Sequence, residues 1–74
     1  MSSEIQLRSV KSSKIRAAGY SPEQQVFVVE YKSGVRDKYF DVPPSVDAEF
    51  WASESKGKYH DRYIHGVYRH ERSS

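Results

Sequence analysis

The 74-residue chain contains no cysteine, which excludes a disulfide framework and any cysteine-ligated zinc site, the usual supports of very small domains. Glycine is scarce. Gly19, Gly34, Gly57 and Gly66 stand alone, and none opens onto a Lys-Ser/Thr pair, so there is no glycine-rich phosphate loop. Long apolar runs are missing too: the longest, Val26 to Val29, falls far short of the roughly 20 residues a membrane span requires. The start Met1-Ser2-Ser3-Glu4 has no basic-then-apolar signal pattern. No serine sits in a nucleophile elbow, and a chain this short buries only about 60% of its unfolded surface, leaving little room for a water-excluding pocket. These absences predict one small cytoplasmic domain, held by packing alone in a reducing compartment. They also predict no catalysis, cofactor, metal, membrane contact or small-molecule substrate.

What is present is aromatic and sharply segregated in charge. Six tyrosines, three phenylalanines and one tryptophan are more than a disordered chain carries, which predicts a folded centre with polar ends. The net charge of +2 conceals three blocks. Arg8, Lys11, Lys14 and Arg16 occur together without an acid. Asp41, Asp47, Glu49 and Glu54 follow without a base, and residues 55–74 turn basic again through Lys56, Lys58, Arg62, Arg69 and Arg72. Charge placed this way governs steering and partners rather than fold.

Hydrophobic periodicity predicts an α+β fold: a small antiparallel sheet of about three strands, at 15–20, 26–32 and 35–42, packed by one main helix over about 44–56. Ser21-Pro22 and Ser33-Gly34 supply the turns, glycine taking the positive φ of a short hairpin. The third strand has no clean apolar face and reads as an edge, or as kinked near Tyr39. Pro43-Pro44 opens the helix, Gly57 is the expected C-cap, and a short helical turn follows near 58–63. Residues 1–9 read as a flexible arm, 10–68 as the domain and 69–74 as a flexible basic tail. The expected core is Ile15, Tyr20, Phe27, Val29, Phe40, Val42, Val46, Phe50 and Ile64.

His60, His65 and His70 recur every five residues, but five residues turn about 140° around a helix and change face on a strand. No regular element then brings the three together around a metal, so they read as polar tail residues gaining charge below about pH 6.5. The basic blocks carry aromatic neighbours of the kind that stack on unpaired bases. The candidate surface comprises Arg8, Lys11, Lys14, Arg16, Lys56, Lys58, Tyr59, Arg62, Tyr63, Tyr68 and Arg69. No ribonucleoprotein consensus, GXXG loop, zinc finger or helix-turn-helix is visible, which argues against sequence-specific DNA reading. The expected function is a small binding module for nucleic acid, RNA or single strands. The alternative is a protein-binding regulator, phage-encoded, docking onto a machine of transcription or translation such as RNA polymerase; the opposed charged surfaces suit such docking.

The stretches Val10-Lys-Ser-Ser-Lys-Ile15, Gly19-Tyr20, Ser33-Gly34, Tyr39-Phe-Asp-Val-Pro43 and Ser55-Lys-Gly-Lys-Tyr59, followed by Ile64, resemble in order and spacing the KTSC domain family. That family is named for the C-terminal extension of some lysyl-tRNA synthetases and also occurs as stand-alone proteins, and the resemblance spans residues 10–68. It implies a hairpin-rich sheet with one principal helix and a suggested role in RNA binding. Two positions depart from the family pattern: Asp37 stands where the first tyrosine of a Tyr-x-Tyr pair is usual, and Asp47 replaces another tyrosine.

If the main helix buries Phe50, replacing it with alanine costs about 3–5 kcal/mol. That is most of the stability a domain this small has, and chemical unfolding of Phe50→Ala measures it.

Overall fold

The computed structural model describes residues 5–73. Its sheet has five strands rather than three, in the order β1 (Arg8–Ser9), β2 (Ile15–Ser21), β3 (Val26–Tyr31), β4 (Arg36–Tyr39) and β5 (His70–Ser73), each antiparallel to its neighbours. Both added strands lie in segments expected to be mobile. They escaped prediction because each is short and polar, and forms only by pairing with an edge already in place. Residues 1–4 and 74, also assigned to mobile ends, lie outside the described residues.

The two hairpin turns fall where the turn residues placed them. Gly34 has φ +96° and its N–H donates to the Tyr31 carbonyl at 2.9 Å. The register that follows sets Phe27 opposite Tyr39 and Val29 opposite Asp37. Opposed residues share a face, so the inner side of β4 is the one bearing Asp37 and Tyr39, both fully buried. Phe40, expected in the core, is only half-buried and lies under the Arg69 guanidinium, 4.4 Å from its ring. The strand stops at Tyr39, and Asp41 takes a left-handed φ of 57°.

On β2 a bulge between Ile15 and Ala17 shifts the register. One extra residue reverses the alternation beyond it, so Ile15 and Ala18 both join the core. The rest of the core is Val10, Phe27, Val29, Tyr39, Val42, Phe50 and Ile64, with Tyr20 and Val46 packed against it only in part. Val26 and Val28, on the opposite face of β3, are also buried. Part of that outer face is closed by the N-terminal segment: the Gly19 backbone lies against the Gln6 carbonyl and the side chains of Ile5 and Leu7.

Helix α1 spans Pro44–Ala52, with Pro44 in its first turn, and buries Phe50 edge-on to Phe27 at 5.0 Å. It ends four residues earlier than predicted. Ser53 caps it, its hydroxyl donating to the Phe50 carbonyl at 2.6 Å, and Ser55 caps the next helix by accepting from Lys58 N–H at 3.4 Å. Serines at such positions compete with helix continuation. Gly57 is therefore no C-cap: it lies in the first turn of α2 (Lys56–Tyr59), where a Cβ would sit 3.2 Å from Ser12 Oγ. The helix continues as a π turn over His60–Ile64, closed by His65 N–H to the His60 carbonyl at 2.8 Å. Among the described residues no helix is long and apolar enough to cross a membrane.

Replacing Gly19 with alanine drives a methyl into the Gln6 carbonyl. The expected outcome is displacement of residues 5–7, faster amide exchange at Ile5–Leu7 and Val28, and a loss of about 1–3 kcal/mol, the usual range for overpacking.

Candidate functional site

On the inner face of the sheet Phe27, Val29, Ile15 and Ala18 form a core with Phe50 and Ile64. Beside them Tyr31 of β3 and Asp37 and Tyr39 of β4 form a polar network, which the two tyrosine hydroxyls join to His60. Asp37 is a buried carboxylate, and burying a charge is tolerable only when it is paired and hydrogen-bonded. Three neighbours satisfy it. Arg72, opposite Asp37 in the β4–β5 register, donates through Nε to Oδ1 at 2.8 Å and through Nη2 to Oδ2 at 3.0 Å; Tyr31 donates its hydroxyl at 2.8 Å, and the Tyr39 hydroxyl lies at 3.2 Å.

His60, only 1% exposed, receives the second half of the network. Its Nε2 is 2.9 Å from both the Tyr31 and Tyr39 hydroxyls, and its Nδ1 is 3.3 Å from Asp61 Oδ1. With Nδ1 donating to Asp61, Nε2 is an acceptor. Each tyrosine has a single proton, so the shorter contact to Asp37 assigns Tyr31 to the carboxylate and leaves Tyr39 to donate to His60. Outside the cluster, Asp61 is ion-paired with Lys14.

The ionisation states follow from these contacts. The hydrogen bonds from Arg72, then that from Tyr31, hold the Asp37 carboxyl down at about 2 against the opposing effect of burial. Burial pushes the Tyr39 hydroxyl up to about 12 and raises Tyr31 further. Burial also lowers His60 below its ordinary value, so the imidazole stays neutral inside the fold.

His60 is therefore no exposed tail residue, while His65 and His70 are exposed. The five-residue spacing that suits neither an α-helix nor a strand is the repeat of the π turn, which sets His65 5.7 Å from His60, and β5 brings His70 to within 5.8 Å of His65 and 5.2 Å of Tyr39. The rings meet at tilted angles of 32–50°. Among the described residues no three histidines or carboxylates are arranged to hold a metal ion.

The predicted surface residues divide among several places. Lys11 and Lys14, from the turn between β1 and β2, meet Lys56 and Lys58 of α2 around a groove of about 260 Å³, lined also by Ser12, Ser13, Ser55 and Gly57 and by the acids Glu54 and Asp61. Arg8 lies over the Trp51 ring at 4.1 Å, Arg69 over Phe40, and Arg16 donates to the Lys32 carbonyl at 3.1 Å. Tyr59 packs against Phe50 and Tyr63, with its hydroxyl donating to Glu49 at 2.8 Å, and Tyr68 is packed against the core. Arg62 is exposed, and Tyr63 keeps 51% of its surface open.

A second groove adjoins the first across the Lys14–Asp61 pair. It measures about 480 Å³ and is lined by Tyr31, Lys32, Val35, His60, His65 and Arg72, besides the shared pair. Most of these residues were absent from the predicted surface. The available signal was the hairpin register, which places Tyr31, Asp37 and Tyr39 on one face.

The family model of the KTSC domain matches residues 11–68. The chain belongs to the KTSC domain family. This KTSC domain is 36% identical over 61 residues to a protein of Tsukamurella paurometabola, covering 82% of the chain and 85% of that relative. It is also 36% identical over 64 residues to a lysine–tRNA ligase of a Nostoc species, covering 86% of this chain but 11% of the ligase. A crystal structure of a KTSC domain protein from Yersinia pestis superposes with a TM-score of 0.89 at 26% identity, over 96% of this chain and 100% of that one.

The network makes stability depend on pH in two steps. As pH falls through about 6.5, an unfolded His60 takes up a proton that the folded one resists, so stability declines from neutral pH downward. Asp37 stabilises the fold fully above the ordinary carboxylate value of 3.8 and loses that contribution as pH falls toward about 2. Urea unfolding of His60→Gln is expected to flatten the dependence between pH 7 and 5 while leaving the lower step in place.

Proposed function

We propose that this KTSC domain is a non-enzymatic module that binds single-stranded nucleic acid, RNA foremost, through its phosphate backbone. The observation that carries the reading is the convergence of Lys11, Lys14, Lys56 and Lys58, from two distant parts of the chain, around one groove lined also by serines and a glycine. Lysines supply charge for phosphates without reading sequence, and small residues let a sugar–phosphate backbone approach closely. Tyr63, exposed one turn beyond Tyr59 and packed on it at 4.8 Å, offers a ring for stacking a base. RNA is favoured over DNA by the relatives named lysine–tRNA ligases, in which the matched region makes up 11% of the length.

Binding of this kind is measured by fluorescence anisotropy of a labelled single-stranded oligoribonucleotide between about 50 and 200 mM salt. With three or four phosphates neutralised, the logarithm of affinity is expected to fall against that of salt with a slope of about −2 to −3. Lys11→Glu and Lys56→Glu should weaken binding and flatten the slope. No binding at the lowest salt overturns the reading; stoichiometric capture of RNA polymerase from nuclease-treated lysate would then favour a protein-docking regulator.

A further inference from the structure

The larger groove of about 480 Å³ lies outside the lysine groove but shares Lys14 and Asp61 with it. Its volume lies within the roughly 300–1,000 Å³ usual for small-ligand sites. Its lining is more apolar than polar and includes Tyr31, Val35, His60 and His65, with the Arg72 guanidinium 6.0 Å over the Tyr31 ring. The polar network fixes that lining: the Tyr31 hydroxyl is tied to Asp37 and the Tyr39 hydroxyl to His60. The rim is cationic. Lys32, in the hairpin turn, is paired with no acid among the described residues. Arg72, which also lines the groove, uses Nε and Nη2 on Asp37, which leaves Nη1 unused by that pair on a side chain 57% exposed. Lys14 also lines the groove, partnered by Asp61, the one acid of the lining.

A flat, apolar-faced ligand with a phosphate at its edge matches this arrangement. The lining can stack a nucleobase, and the cations can grip the attached phosphate. We propose that this groove holds a single nucleoside-phosphate unit, its base against Tyr31 and Val35 and its phosphate between Lys32 and Arg72. The proposal rests on the nucleic-acid reading for its setting, since a strand lying along Lys11, Lys56 and Lys58 passes the Lys14–Asp61 pair directly into the groove. A free mononucleotide presents the same chemistry, and the two sources are separable by experiment.

The full chain, labelled with ¹⁵N, is titrated in parallel with inorganic phosphate, with each of the four ribonucleoside monophosphates, and with a single-stranded hexaribonucleotide. The expected result is saturable amide shifts at Tyr31, Lys32, Ser33, Val35 and His65 with the mononucleotides and the hexamer, and far weaker shifts with phosphate alone. Lys32→Glu, whose side chain is exposed and whose folding is checked by thermal unfolding, should weaken the response of these amides on the order of tenfold. If the hexamer shifts only residues 11–14 and 55–58, the nucleotide site is overturned and the backbone-binding reading stands. If mononucleotides shift the groove while the hexamer does not bind, the site is upheld as one for free nucleotides and the strand reading falls. Silence with every probe, or an unchanged response in Lys32→Glu, removes the site.

Discussion

The rest of the structure depends on the need to satisfy one buried carboxylate. Asp37 faces inward because the hairpin register puts it opposite Val29, and its charge has to be matched there. The match comes from two directions. Tyr31 donates from β3, and Arg72 reaches in from β5, whose pairing with β4 places it directly opposite. A single removed partner would leave a buried charge uncompensated, which is far costlier than the pair is stabilising. The polar C-terminal strand is thereby joined to its neighbour by an ion pair across the β4–β5 register.

The same hydroxyls carry the constraint to the helical layer. Neutral His60 accepts from Tyr39 and donates to Asp61, which in turn pairs with Lys14 of the turn between β1 and β2. For His60 and His65 to lie side by side above Tyr39, the helix widens into a π turn, a feature often found where a helix serves a site. The network thus links β5, the hairpin, the π turn and the first basic block. It also gives the larger groove a rigid lining, and a preorganised surface loses less entropy when a ligand settles on it. The lysine groove lies against the outer end of that chain.

Much of the architecture was legible in local chemistry. Gly34 and Pro22 marked the turns, the alternation of Phe27, Val29 and Tyr31 marked the inner face of β3, and Pro44 with Phe50 marked the helix and its buried side. The added strands were not legible, since Arg8-Ser9 and His70–Ser73 have neither apolar pattern nor length and owe their conformation to a neighbour. The bulge at Arg16 was hidden for the same reason, because alternation is read as unbroken until a partner strand shows otherwise. The polar site was legible only in part: Asp37 and Tyr39 looked like one half of an unclean strand, and their meaning required the registers on both sides. The five-residue histidine spacing misled because neither α-helix nor strand geometry describes it: a π turn spans His60 to His65, and His70 arrives on β5.

By itself the sequence determined the α+β class, the turns, the helix-forming segments and the separation of charge into blocks, since each follows from interactions among residues near one another in the chain. Only the tertiary structure decided which charges meet. Lys11 and Lys14 face Lys56 and Lys58, Asp37 finds Arg72, and His60 finds two tyrosines, because strand pairing and helix packing close distances that no local pattern records. Residues that read as solvated tail became the lid on a buried charge, and the physical reason is that an ion pair across two strands exists only once both strands are in register.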